Sequence, residues 1–272
     1  MGSANASGDL SSEMEVDAFR RLFPLRFHEH HLLESIRPDA RKLGKARDTT
    51  LALGAVASAD GSALAKIGCT SFVLVQTMLT AIKMEVMTPT TESPDDGCIA
   101  IDFHMPLICS PIVRPGRPVD AAPVISKQVS DTILSSGMIN FKELSLVSGK
   151  AVWMAYLVIV VVVSEKDGGK LKNKLVNKGK RKLKLSSIPF SLTCILHKKY
   201  ILGDLTAEKE SVMETLVTVV LDSSFQLVSL YKPSGPVLAY TSAVQDCIVL
   251  TRQRVKELRK ILNEAIYDME VD

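Results

Sequence analysis

Thirteen consecutive apolar residues, Ala151–Val163, constrain what this chain can become. A helix that crosses a bilayer needs roughly 17–25 such residues, so the run is too short for an anchor. It is expected as one or two buried strands. The composition reverses directly after it: between Glu165 and Lys184 there are nine Lys or Arg against two acids. The net charge of the whole chain is only +3 over 272 residues, so everything outside this stretch is slightly acidic. This is one basic insert in an otherwise balanced protein. Such runs are mostly solvated loops, with nucleic-acid contact as the alternative.

Apolar residues at 46% and charged residues at 23% exclude disordered, collagen-like and disulfide-scaffold classes. The five cysteines (Cys69, Cys98, Cys109, Cys194, Cys247) are an odd number and contain no CxxC pair. No charged and then apolar leader precedes them. Buried free thiols in a reducing compartment are expected.

Residues 1–16 are small and polar and are expected to be disordered. Helices are predicted over Asp17–Phe23 and Leu25–Ser35, broken or kinked at Pro24. Strands are predicted over Thr49–Ser58, Ser62–Ile67, Ser71–Ala81 and Cys98–Met105, with Asp60-Gly61 and Asp95-Asp96-Gly97 as turns. A loop with four prolines, from Pro106 to Pro118, leads to a helix over Pro123–Ser135. Leu144–Val163 supplies one or two strands. Four more follow over Ile188–Leu196, Tyr200–Gly203, Met213–Asp222 and Phe225–Tyr231, and a helix over Ala239–Met269 closes the chain. Strands grouped before a helix, twice over, point to an α+β fold. The expected segments are 1–16 as a disordered terminus, 17–163 as a first half, 164–184 as a basic linker and 185–272 as a second half.

Few residues invite chemistry. His28, Glu29, His30 and His31 look like a metal cluster, but neighbours on a helix diverge, so no metal site is expected there. Asp60, Asp95 and Asp96 sit in glycine-bearing turns, where aspartate commonly bonds its own backbone. His104 and His197 are expected as packed or surface residues. Cys69 and Cys109 have no evident histidine partner. Phosphate-loop, dinucleotide, nucleophile-elbow and HExxH patterns are absent. Arg114 and Arg117, flanking Gly116 in the proline-rich loop, are the best candidates, because guanidinium groups suit phosphates.

Arg37-Pro38-Asp39-Ala40-Arg41, Ala59-Asp60-Gly61-Ser62-Ala63-Leu64 and Lys66-Ile67-Gly68-Cys69-Thr70 resemble the opening of RNase PH-like proteins. Pro94-Asp95-Asp96-Gly97, Pro106-Leu107-Ile108-Cys109-Ser110 and Ser148-Gly149-Lys150-Ala151-Val152-Trp153 extend the match. Ile188-Pro189-Phe190-Ser191 and Gln245-Asp246-Cys247 carry it toward the C-terminus. As a set, these resemble the RNase PH-like ring subunits of the RNA exosome.

The resemblance implies an RNase PH-type fold, like domain 2 of ribosomal protein S5, in two related halves. It also implies a six-subunit ring capped by RNA-binding proteins, through which RNA passes for 3′-to-5′ processing and decay. The expected partners are other RNase PH-like ring subunits, the cap subunits and RNA, with no membrane and no cofactor. Nucleus, nucleolus and cytoplasm are the expected compartments. Arg114 and Arg117 are the expected RNA-backbone contacts. Active members carry a Gly-Gly-Ser/Thr-Arg type phosphate loop beside catalytic aspartates. Here the only Gly-Gly is Gly168-Gly169, followed by Lys170, so no catalytic residue is expected. The resemblance also implies that a strand–helix–strand unit of about 35–40 residues is missing before the basic linker. The alternatives are a free-standing RNA-binding module built on the insert and a poorly folded truncated form.

Overall fold

The computed structural model describes residues 5–68, 76–105, 121–163, 183–204, 215–234 and 240–271. The elements in chain order are α1 (Asn5–Leu22), α2 (Pro24–Leu33), β1 (Thr49–Leu53), β2 (Gly61–Ile67), β3 (Gln76–Met87), β4 (Cys98–His104) and α3 (Ala121–Ser136). They continue with a 3-10 turn (Phe141–Leu144), β5 (Ser145–Val147), β6 (Ala151–Val163), β7 (Phe190–His197), β8 (Tyr200–Gly203), β9 (Leu216–Leu221), β10 (Leu227–Ser234) and α4 (Thr241–Val271). The α+β expectation holds.

The chain condenses into two compact units that interleave along the sequence. One comprises residues 1–46, 193–218 and 231–250; the other comprises 47–192, 219–230 and 251–272. The sequence had suggested consecutive segments instead.

In the first unit, α1 begins at Asn5 and so corrects the expectation of disorder across residues 5–16. Few apolar residues lie there, but none of residues 5–16 is a proline, so nothing stops the helix extending backward from Asp17. Pro24 separates the two helices as expected and does so by opening α2, where its missing N–H costs nothing. Phe19, Phe23 and Phe27 meet edge-on or tilted across the junction. Leu32, Ile195 and Leu202 form a closed core, with Leu43, Tyr200 and Leu216 packed around it. Cys194 and Cys247, both fully buried, hydrogen-bond through their sulfurs, and that contact together with burial pushes the Cys194 thiol up.

The second unit is built on a sheet of order β1-β2-β3-β6-β4, with β5 paired to β6. All these neighbours are antiparallel except β4 and β6, which run parallel. The 13-residue β6 is the apolar run, and its partner β3 pairs along it from Gln76↔Val163 to Met87↔Val152. The strand expected over Ser71–Ala81 runs on past Ala81 to Met87, through Lys83 and Glu85. These residues alternate with Ile82, Met84 and Val86, so the strand continues with one polar and one apolar face. Ile99, Ile101 and Phe103 of β4 share the apolar face with Ala155, Leu157 and Ile159 of β6. Helix α3 packs on β4 over that face, burying Ile133. A second, four-stranded sheet has the order β10-β9-β7-β8. No helix among the described residues is long and apolar enough to cross a membrane.

Candidate functional site

Arg114 and Arg117 lie outside the described residues, as do Cys69, Cys109 and the Gly168-Gly169-Lys170 segment. What the structure does give is the frame from which the arginine-bearing loop departs: the end of β4 and the start of α3.

The polar face of the sheet carries a three-residue cluster at that point. Asp102 and His104 alternate along β4, and the register sets Asp102 opposite Val158 and Ala100 opposite Tyr156. All four therefore project to one side. Tyr156 donates its hydroxyl to Asp102 Oδ2 at 3.0 Å, and His104 Nε2 lies 3.0 Å from the same oxygen. The hydrogen bond to Asp102 pushes the Tyr156 phenol up from its ordinary value. His104 is thus an exposed residue tied to a carboxylate, in keeping with its expected surface placement. Sequence spacing shows Asp102 and His104 two apart on a strand, but Tyr156 joins them only through strand pairing across 54 residues of chain. Asp102 Oδ2 already has two partners. Its evident effect is to fix the side chains where the chain leaves β4.

On the opposite face a cavity of about 320 Å³ opens between β4 and α3, lined by Asp96, Gly97, Ile99, Ser130, Ile133 and Phe141 among others. Gly97 is required there. A Cβ on it would sit 2.4 Å from Leu144 Cβ and 2.6 Å from the Trp153 carbonyl oxygen, and its amide donates to the Phe141 carbonyl at 3.0 Å. Asp95 accepts from the Ser148 hydroxyl, and Asp60 accepts from the Met84 amide at 2.9 Å. Both aspartates are taken up structurally, but by groups 53 and 24 residues away rather than by their own turn backbone as expected.

The Arg37-Pro38-Asp39-Ala40-Arg41 stretch forms a tight turn closed by the Ile36↔Lys42 bridge and by the Arg37 amide on the Arg41 carbonyl at 3.2 Å. The Arg37 guanidinium is 1% exposed. It donates to the Asp204 carbonyl at 3.1 Å and to the carbonyls of Leu43 and Gly203. Burial, aided by Arg41, pushes its pKa down to about 10, which leaves it charged at neutral pH. Arg41 bridges Asp39 at 2.6 Å and Asp204 at 3.3 Å. The motif is a clamp that ties the turn to the end of β8, with the two terminal guanidinium nitrogens of Arg37 on protein carbonyls and its Nε buried without a partner among the described residues.

The His-rich segment of α2 divides as helix geometry demands. His28 is buried, His31 Nδ1 meets the Phe27 carbonyl at 2.9 Å, and Glu29 faces His197 at 3.0 Å and Lys198 at 2.7 Å. Those two partners hold the Glu29 carboxyl below its ordinary value. Sequence reading missed this pairing of α2 with the β7–β8 turn, because 168 residues separate the partners. Among the described residues no three His, Cys, Asp or Glu converge as a metal site.

The same architecture occurs in solved structures. A chain of the Archaeoglobus fulgidus exosome with RNA bound to the active site superposes with a TM-score of 0.73 at 20% identity, covering 91% of this chain and 98% of that one. The fold is of the RNase PH type. A family model described as 3′ exoribonuclease family, domain 1, matches residues 45–196, more than half of the sequence, and the chain belongs to that family. Among curated relatives, the exosome complex component rrp43 of Schizosaccharomyces pombe is 25% identical, with 87% of this chain and 94% of that protein covered. The exosome complex component Rrp42 of Methanopyrus kandleri is also 25% identical, covering 86% and 95%.

Proposed function

We propose that this chain is a non-catalytic ring subunit of an RNA exosome core, resembling the rrp43-type component. In this reading it scaffolds the ring beside other RNase PH-like subunits and RNA-binding cap subunits, in nucleus, nucleolus and cytoplasm, and lines the path of RNA bound for 3′-to-5′ processing or decay. The observation that carries it is the near full-length match to proteins named as exosome components. The non-catalytic reading is supported by the sequence: phosphorolysis needs inorganic phosphate held and a leaving oxygen stabilised, and no Gly-Gly-Ser/Thr-Arg loop is present. Arg114 and Arg117 supply sequence-independent phosphate contacts in this reading. Their replacement by Ala should reduce RNA protection by the assembled ring.

A second reading has one observation in its favour. Ile82 and Val86 lie on the apolar face of β3, yet they are 37% and 58% exposed. That is what loss of a strand–helix–strand unit next to the sheet produces. In this reading the chain is a shortened form with impaired assembly.

Native mass spectrometry of the chain co-expressed with the other core subunits decides between them. One copy in a stoichiometric complex, with no phosphate-stimulated release of nucleoside diphosphates, is the expected result. Assembly of the partners without it would overturn the ring-subunit reading and favour the second.

A further inference from the structure

Outside the basic insert the chain carries more acids than bases, and against that background residues 252–260 of α4 hold five Lys or Arg and one acid. Arg254 is used internally. It is 9% exposed, donates to the Arg47 carbonyl at 3.0 Å and to Thr49 Oγ1 at 2.6 Å, and engages Glu257 at 2.9 Å. That anchor fixes the helix and occupies the one acid of the segment. The other four cations, Arg252, Lys256, Arg259 and Lys260, are all exposed. At 100° per residue they fall within about a quarter to a third of the helix circumference, as one stripe roughly 12 Å long.

Aromatic rings accompany the stripe. Lys256 Nζ lies 6.0 Å from the centroid of the Phe225 ring. Tyr267 continues the same face and is 68% exposed. Arg259 donates to the Ser223 carbonyl at 3.0 Å through one guanidinium nitrogen, which orients the group while leaving further donors outward. The acid that reaches the stripe from beside it is Glu264, 3.7 Å from Lys260 with both side chains well exposed, so screening makes that pair weak. A solvated helix face usually alternates its charges; between Arg252 and Lys260 this one holds a single sign on a rigid support.

We propose that the Arg252, Lys256, Arg259 and Lys260 stripe of α4 binds the phosphate backbone of a single-stranded nucleic acid, with Tyr267 and Phe225 as stacking surfaces. Cations in a row with rings beside them match the chemistry of sequence-tolerant single-strand binding. The site goes beyond the ring-subunit reading, since it needs neither Arg114, Arg117 nor a partner chain.

The test uses the full chain and a labelled mixed-sequence oligoribonucleotide, with affinity measured across salt concentrations. Four phosphate contacts contribute about 3 to the slope of log affinity against log salt for single strands. The variant R252A/K256A/R259A/K260A should therefore bind about tenfold more weakly at moderate salt, with the slope reduced by roughly 2–3. If that variant fails to fold by circular dichroism, R252Q/K256Q replaces it, with an expected slope reduction of roughly 1–1.5. Unchanged affinity and slope would overturn the site and assign RNA binding, if any, to the 165–184 insert. Equal displacement of the oligoribonucleotide by polyglutamate would overturn it in favour of an acidic protein partner. Neither failure alters the outcome of the assembly experiment.

Discussion

Ala40 occupies a left-handed backbone position, with φ of +59°, in the turn that places Arg37. A Cβ costs roughly 1 kcal/mol there, and glycine relieves it. Ala40→Gly should raise the unfolding free energy by about 0.5–1 kcal/mol, read as a higher denaturation midpoint with an unchanged slope. No change would mean that the turn is not under strain. Glu29 makes a prediction in pH. Its carboxyl is held below the ordinary 4.5 by Lys198 and His197, so the folded state binds its proton less readily than the unfolded chain does. The stabilisation is complete above pH 4.5 and drains away as pH falls through the lower folded value. Glu29→Gln should flatten that acid limb, and thermal melts between pH 3 and pH 6 would show it. An unchanged acid limb would mean that the contact does not contribute.

At the scale of elements, the fold was legible wherever a pattern is local. Asp60-Gly61 and Pro24 punctuate the chain where the structure breaks it, and the 13-residue run is one strand. Tyr200–Gly203 and the closing helix fall almost where alternation and the apolar stripe put them. The miss at β3 came from reading hydrophobicity residue by residue. Lys83 and Glu85 alternate with Ile82, Met84 and Val86, a strand pattern that is local; what no window contains is the β6 partner that pairs with them. The same limit hid the Asp102–His104–Tyr156 cluster and the Glu29 pairing. Gly97 illustrates the reverse: its place in an Asp-Asp-Gly turn is visible in sequence, but its need for no side chain comes from Leu144 and the Trp153 carbonyl. Gly97→Ala should destabilise by about 1–3 kcal/mol, because backbone as well as side chain must give way. Retention of the wild-type denaturation midpoint would show that the 3-10 turn moves aside at no cost.

For the molecule as a whole, the interleaving of its two units sets an order of events in its synthesis. Residues 1–46 leave the ribosome well before residues 193–218 and 231–250, which complete their compact unit. At roughly 5–20 residues per second the wait is on the order of ten seconds. During it, Leu32 of the N-terminal helices lacks Ile195 and Leu202, while Phe27 already has Phe19 beside it. Residues 47–192 hold the β1-β2-β3-β6-β4 sheet and its covering helix in one stretch and can begin to condense as they emerge, but their unit too is completed only by 219–230 and 251–272. Neither unit therefore closes until residues beyond 230 have emerged, so the two are completed almost together rather than in succession.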